Sequence, residues 1–244
     1  MQSRAILLLI MLLAGCSGTS VPDSPGFISV GIDAGNYRIF TSQRFSDSTS
    51  PVHIYIEGDG YAFDARGRPT SDPTPHGTFI YDLATKDTSP NVVYMARPCQ
   101  YVWSDACTRA DWTDGRFAPH IIDSMASAIR SVAASRPVIL IGYSGGAMIS
   151  GLVINQNPDL NIKKWITIAG VLNHSEWTQY FGDAPLSRSV NLDTLPRLPQ
   201  THYIASGDKV VPNELSYQWT AGANITTVQG ATHSYFPNLE LDFK

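Results

Sequence analysis

Residues 142–146, Gly-Tyr-Ser-Gly-Gly, follow the apolar run 138–141 and precede a helix-like stretch at 147–157. Such a turn forces its central residue, Ser144, into a strained backbone conformation, and small neighbours are needed because the chain must reverse without a clash. The hydroxyl then projects from the carboxyl edge of a sheet, at the positive end of the following helix. The sequence therefore predicts a strand–turn–helix unit that presents Ser144 where negative charge is stabilised.

Along the rest of the chain, short apolar segments typical of β-strands alternate with segments of helical spacing. The strand-like segments are residues 52–56, 92–96, 138–141, 165–169, 202–205 and 225–228, and helical patterns cover residues 79–84, 121–134 and 213–219. This alternation predicts a mostly parallel central sheet with helices on both faces. Two earlier β-like runs, residues 27–32 and 37–40, predict a hairpin.

A serine nucleophile needs a general base and a carboxylate that orients the base. Asp208 follows the strand-like segment 202–205, and His233 follows the last such segment. Both therefore lie at the carboxyl ends of parallel strands, on the same sheet edge as Ser144. We assign Ser144, Asp208 and His233 as candidate nucleophile, acid and base. Two alternatives stay open: Asp208 as a simple turn former, and His174 as the base.

These features together resemble the α/β-hydrolase superfamily over nearly all of the mature chain, including its bacterial lipoprotein members. The resemblance is carried by the Gly-x-Ser-x-Gly turn, by the chain order Ser144, Asp208, His233, and by Gly-Asp-x-x-Val-Pro at residues 207–212. It implies one domain of α/β-hydrolase fold over residues 27–244. It also implies a serine hydrolase that acts through an acyl-enzyme.

Acyl transfer requires two N–H donors for the oxyanion. The resemblance implies that Gly145, the residue after the nucleophile, supplies one. The second is expected in the loop after segment 52–56, where related enzymes often carry His-Gly and this chain has Glu-Gly-Asp-Gly at residues 57–60. Position favours the N–H of Asp59, with Gly60 as the neighbouring candidate. The two carboxylates in this loop also suggest that strongly anionic acyl groups are disfavoured.

Residues 170–200 form a long, polar, proline-bearing stretch, and such a stretch inside a compact domain is usually functional. We expect a short lid-like insertion over Ser144, with a purely structural excursion as the alternative. Aromatic residues also gather near Cys99 and Cys107, where they line a pocket or simply pack beneath a loop. The substrate-pocket candidates are Tyr143, Trp103, Trp112, His174 and Trp177.

The N-terminus carries the apolar run 5–13, followed by a Leu-Ala-Gly-Cys tetrapeptide that ends at Cys16. The run is typical of a secretory signal and too short for a permanent membrane span. The tetrapeptide resembles a bacterial lipobox, so we expect removal of residues 1–15, lipidation of Cys16 and a tether over residues 16–26. An ordinary signal peptide is the alternative. Ser17 after the cysteine resembles lipoproteins of the outer membrane, which places the protein in the cell envelope.

Cys99 and Cys107 are then the remaining cysteines of an exported chain, and we expect them to form a disulfide. The formal net charge is −4 without any cluster of lysine or arginine, which argues against a nucleic-acid partner. Neither a His-Glu-x-x-His motif nor a phosphate-binding glycine loop ending in lysine occurs, so we expect no metal and no cofactor. The expected partners are a small-molecule or lipid-like acyl substrate and, through the N-terminal lipid, the membrane.

The predicted reaction is hydrolysis of a carboxylic ester or thioester. The same three side chains also serve amidases and peptidases, so this alternative stays open. A third hypothesis is a non-catalytic surface lipoprotein that binds an envelope partner. A binding scaffold, however, has no reason to keep a nucleophile, an acid and a base in this order.

Overall fold

The computed structural model describes residues 20–243. The expected signal peptide, the lipidation site Cys16 and the tether up to residue 19 lie outside the described residues. Among residues 20–243, no helix has both the length and the apolar character needed to cross a membrane.

The central element of the described chain is an eight-stranded sheet. Its strands are β1 Ile28–Ala34, β2 Tyr37–Phe45, β3 Val52–Ile56, β4 Asn91–Met95, β5 Val138–Tyr143, β6 Ile162–Ile168, β7 Gln200–Ala205 and β8 Asn224–Val228. They lie in the order β1-β2-β4-β3-β5-β6-β7-β8. β2 pairs antiparallel with β1 and β4, whereas the remaining neighbours are parallel. The prediction of a mostly parallel sheet preceded by a hairpin is confirmed.

Helices cover both faces of this sheet. Between residues 20 and 243 they are α1 Phe79–Lys86, α2 Pro119–Ala133, α3 Gly145–Gln156, α4 His174–Phe181 and α5 Asn213–Trp219, with a short 3₁₀ helix at Arg109–Trp112. Helices α2 and α3 pack on the face that contains Ile54 and Ile56, and α1 packs on the face that contains Tyr55. Successive side chains of β3 thus enter opposite layers of the core, as strand geometry requires. Both layers exclude water, so β3 is buried along its whole length.

Two helices begin earlier than the sequence predicted. Helix α2 starts at Pro119 rather than at residue 121, because the fixed φ of proline suits the first helical position. Helix α3 starts at Gly145 rather than at residue 147, immediately after the turn that follows β5. The first nine residues of α3 are buried, so packing on all sides holds the helix that follows the turn after β5.

The predicted insertion, residues 170–200, contains α4 and otherwise irregular backbone up to Gln200, where β7 begins. The Asn173 side chain caps α4 by accepting the N–H of Glu176, and Gly182 ends the helix in the left-handed conformation. Leu186 and Leu192 of the same stretch pack into the core beside α2 and α3. Its role as a lid stays a prediction.

The disulfide expected from the sequence is present. Cys99 and Cys107 are joined, with their Cα atoms 5.8 Å apart. The bond closes the segment that leads from β4 towards the 3₁₀ helix. This segment is therefore a cross-linked unit at the carboxyl end of β4.

Candidate active site

Ser144 occupies a tight turn between β5 and α3, with φ +50° and ψ −122°. A non-glycine residue in such a conformation carries strain on the order of 1–3 kcal/mol, so its surroundings must hold it there. The neighbouring glycines give the necessary space. A Cβ atom at Gly142 would lie 2.5 Å from the carbonyl oxygen of Gly146, and one at Gly146 would lie 2.5 Å from that of Ile56. The chain therefore adopts the strand–turn–helix unit that the sequence predicted.

The three candidate catalytic side chains meet at the carboxyl edge of the sheet. The Ser144 Oγ lies 3.0 Å from His233 Nε2, and His233 Nδ1 lies 2.9 Å from Asp208 Oδ2. The other oxygen of Asp208 accepts the N–H groups of Val210 and Val211 at 2.8 and 2.9 Å. With Nδ1–H donating to the carboxylate, Nε2 presents its lone pair to the serine hydroxyl. The arrangement matches the geometry of a nucleophile, a base and an orienting acid.

His174, the alternative base, does not reach Ser144. Its side chain is buried, its ring stacks on Phe117 at 5.8 Å, and neither ring nitrogen has a hydrogen-bond partner among the described residues. Burial lowers the pKa of His174, which keeps the imidazole neutral. His174 is therefore a packed core residue, and it does not line the cleft beside Ser144 described below.

The loop after β3 runs directly beside the nucleophile. A Cβ atom at Gly58 would lie 3.1 Å from the Cβ of Ser144, so a larger residue there would press on the nucleophile. Among the hydrogen bonds of residues 20–243, none uses the N–H of Asp59. The N–H of Gly145 points out of the first turn of α3, where backbone donors have no partner within the helix. Within the described part of the chain, both predicted oxyanion donors are thus unpaired; Gly145 directly follows Ser144, and Asp59 directly follows Gly58, which contacts it.

The Glu57 carboxyl group is buried and held in place by two donors. The N–H of Gly58 and the hydroxyl of Tyr94 donate to its two oxygens, each at 2.8 Å. Burial raises the pKa of Glu57 to about 7, although these donors and the nearby Arg97 oppose the rise. Glu57 therefore carries only part of a negative charge near neutral pH.

Two buried arginines bind the Asp59 side chain. Arg97 donates to Oδ1, and Arg116 Nη1 donates to Oδ2 at 2.5 Å. Burial alone would raise the pKa of Asp59, but Arg116 and Arg97 outweigh it and hold the pKa below its usual value. Two positive charges thus face one ionised carboxylate. The expectation that this loop disfavours anionic acyl groups loses its basis, because its negative charge is more than balanced.

A cleft of about 450 Å³ opens beside Ser144. Apolar side chains supply much of its wall, including Phe63, Phe79, Ile80, Val171 and Val210. Two of the predicted pocket residues, Tyr143 and Trp177, also line it. Trp177 Nε1 donates to the carbonyl oxygen of Val210 at 2.7 Å, which fixes α4 against the loop that carries Asp208.

Trp103 and Trp112 do not line this cleft. Trp103 is 55% exposed, and its ring contacts Trp112 edge-on with centroids 5.8 Å apart. Trp112 is buried and donates its Nε1–H to the carbonyl oxygen of Thr70 at 3.2 Å. The structure therefore places these two predicted pocket residues outside the cleft, where they pack against each other and against the loop that contains Thr70.

Sequence reasoning identified residues 57–60 but missed the rest of the segment that builds one side of the cleft. The connection from β3 to α1, residues 57–78, contributes Tyr61, Phe63 and His76. The rings of Tyr61 and His76 stack at 4.0 Å. The length of this connection was the available signal, because long loops inside compact domains are usually functional.

No group of three or more histidine, cysteine, aspartate or glutamate side chains between residues 20 and 243 is arranged to hold a metal ion. No family model matches the chain, and no curated protein does so either.

Solved structures do match. Est1E from Butyrivibrio proteoclasticus is 12% identical, with a TM-score of 0.61 over 85% of this chain and 90% of that chain. A thioesterase domain from the curacin biosynthetic pathway is 13% identical, with a TM-score of 0.57 over 85% and 94% of the two chains. An α/β serine hydrolase from Xanthomonas campestris, described as lacking a lid, is 12% identical, with a TM-score of 0.54 over 88% of each chain. Together with the sheet order and the turn at Ser144, this likeness establishes that the chain has the α/β-hydrolase fold.

Proposed function

We propose that the protein is a serine hydrolase that cleaves a carboxylic ester or thioester through an acyl-enzyme. The observation that carries this proposal is the continuous hydrogen-bonded path from Asp208 through His233 to Ser144. Ser144, at the end of this path, occupies a strained turn and lines the cleft. The names of the similar structures, a thioesterase domain and a serine hydrolase among them, support the same class of chemistry.

In the proposed reaction, Ser144 Oγ attacks the substrate carbonyl while His233 Nε2 takes its proton. The N–H groups of Gly145 and Asp59 hold the oxyanion of the tetrahedral intermediate. His233 then protonates the leaving group, and the C–O or C–S bond breaks to leave an acyl-Ser144 ester. Water attacks this ester by the same steps in reverse, with His233 again as base, which releases the acid and restores Ser144.

The cleft suggests an apolar acyl group. Phe63, Phe79 and Val171 line its wall, and burial of apolar substrate surface against them is favourable by about 25 cal/mol per Å². We therefore propose a small-molecule or lipid-like acyl ester as substrate. A series of p-nitrophenyl esters of increasing acyl length tests this, and the ratio kcat/KM should pass through a maximum where the cleft is filled.

Replacement of Ser144 tests the reaction directly. Ser144→Ala should abolish turnover of p-nitrophenyl butyrate and labelling by a fluorophosphonate probe, because both need the hydroxyl. Ser187, an exposed serine, provides the matched control, and Ser187→Ala should retain full activity. Equal turnover by Ser144→Ala and wild type would end the hypothesis.

An amidase or peptidase would use the same side chains. Matched substrates with one acyl group and an ester, thioester or anilide leaving group separate these reactions. We expect turnover of the ester and thioester and much slower turnover of the anilide. Efficient anilide cleavage would instead support the amidase alternative.

A non-catalytic surface lipoprotein is the rival from another class. The hydrogen-bonded Ser144 and His233 argue against it. Folded wild-type protein that neither turns over an ester nor reacts with fluorophosphonate would support it.

We further propose that Cys16 is lipidated and that the protein is held at the outer membrane of a bacterial envelope. The basis is the lipobox-like tetrapeptide and Ser17. Val21 packs against the core, and the hydroxyl of Tyr81 donates to the carbonyl oxygen of Pro22 at 2.6 Å. Residues 21 and 22, within the predicted tether, therefore already contact the domain. Mass spectrometry and membrane fractionation of wild type and Cys16→Ser test this, and equal release of both into the soluble fraction would contradict it.

A further inference from the structure

The loop that carries the second oxyanion donor is held by three buried side chains that the triad does not use. They are Arg97, Gln100 and Arg116, each no more than 5% exposed. We propose that these three are positioning residues, which aim the N–H of Asp59 at the oxyanion and place positive charge beside it. The inference rests on the proposed hydrolase function.

The peptide bond between Gly58 and Asp59 is held at its carbonyl oxygen. Gln100 Nε2 donates to the carbonyl oxygen of Gly58 at 3.1 Å, and the N–H of Arg97 fixes Gln100 by donating to its Oε1 at 2.9 Å. In a planar trans peptide the C=O and the following N–H point in opposite directions. Gln100 therefore sets the direction of the Asp59 N–H by holding the opposite end of the same peptide.

The Asp59 side chain is held as well. Asp59 lies between Gly58 and Gly60, and glycines leave the backbone free to rotate. Arg97 and Arg116 each bind one oxygen of its carboxylate, so the residue is held at its side chain as well as at its peptide. Arg97 Nη2 also donates to the carbonyl oxygen of Arg116, which joins the two arginines to each other. Rotation of the loop would therefore break its contacts with Gln100, Arg97 and Arg116 together.

Stability alone explains this cluster poorly. A buried ion pair often contributes no more than apolar residues of similar volume, because the charges must be desolvated. Here two guanidinium groups share one carboxylate, which leaves net positive charge next to the nucleophile. Arg116 lines the cleft, with its guanidinium 5.3 Å from the Phe63 ring centroid. Charge held in place in such a site stabilises an oxyanion more strongly than it would in water.

The test compares Arg116→Gln, Gln100→Leu and Arg116→Lys with wild type, using p-nitrophenyl butyrate. Arg109→Gln is the matched control, because Arg109 is exposed on the same segment. For folded Arg116→Gln and Gln100→Leu we expect kcat to fall about tenfold or more, with KM changed by less than about threefold. Arg116→Lys keeps the charge and should recover part of kcat.

The double variant Arg116→Gln with Gln100→Leu separates positioning from general loosening. Both changes release the same residue, Asp59, so the combined loss in kcat should be smaller than the product of the single losses. Folded single variants with kcat within about threefold of wild type would overturn the inference. So would failure of both to fold, because the residues would then be structural. If Ser144→Ala retains wild-type turnover, the hydrolase proposal itself fails, which is a different outcome.

Discussion

The carboxylate of Asp59 lies against the Cα atom of Gly145, so close that a Cβ atom at position 145 would be 2.0 Å from Asp59 Oδ1. These residues are the two candidate oxyanion donors, one from the loop after β3 and one from the first turn of α3. Packing of one on the other means that neither N–H moves without the other. The serine turn and the loop after β3 therefore form a single unit.

Gly145→Ala should damage this unit while leaving Ser144 and His233 in place. The added Cβ would also lie 3.0 Å from Arg97 Nη1, so the Asp59 carboxylate must shift away from the arginine. We expect kcat to fall about tenfold or more, in proportion to the loss of one oxyanion donor. Steady-state kinetics with p-nitrophenyl butyrate measure this. The companion variant combines Asp59→Ala with Gly145→Ala. Its kcat should be little lower than that of Asp59→Ala alone, because the carboxylate that the new Cβ would meet is gone.

Asp208→Asn should reduce kcat by about 10³–10⁴-fold, because an amide in place of the carboxylate favours the wrong tautomer of His233. The N–H groups of Val210 and Val211 would still hold the amide oxygen, so the protein should stay folded. KM should change little, because Asp208 does not line the cleft beside Ser144. Asp183→Asn, at an exposed carboxylate, is the control. A loss of less than about tenfold would mean that Asp208 does not orient the base.

The sequence located Ser144, Asp208 and His233 because topology gathers them. Residues that follow strands of a parallel sheet meet at one edge, however far apart they lie in the chain. The pattern of apolar segments was enough to place each candidate after β5, β7 or β8. Their approach to hydrogen-bond distance then depended only on short loops.

The roles of Arg97 and Arg116 could not be predicted in this way. Arginines are usually exposed, and the sequence gives no sign that these two turn inward. Their partner, Asp59, lies 38 and 57 residues away in the chain. Which side chain faces which depends on the path of the segment closed by Cys99 and Cys107. That path follows from packing, not from any local pattern.

Glu57 should make the stability of the fold depend on pH. Burial raises its folded pKa from the usual 4.5 to about 7. Between these values the unfolded chain ionises Glu57 while the folded chain keeps it neutral. Neutral Glu57 therefore contributes fully to the unfolding free energy below pH 4.5. This contribution is lost as the pH rises through 7, and the total loss is about 3 kcal/mol.

Glu57→Gln removes this titration, because an amide stays neutral. The unfolding free energy of the variant relative to wild type should rise between pH 4.5 and 7 and then level off. Urea unfolding at a series of pH values measures the difference. Parallel pH curves for the two proteins would show that Glu57 titrates normally in the fold.

The Cys99–Cys107 disulfide should affect both stability and catalysis, because Gln100 belongs to the loop that it closes and accepts the N–H of Arg97, just before that loop. Replacing Cys99→Ser and Cys107→Ser together should lower the unfolding free energy by about 2–3 kcal/mol in the chain-entropy model. It should also lower kcat, since Gln100 would hold the Gly58 carbonyl less firmly. Dithiothreitol should reproduce both effects in wild type and change nothing in the double variant. Lost stability with unchanged kcat would show that packing alone keeps Gln100 in place.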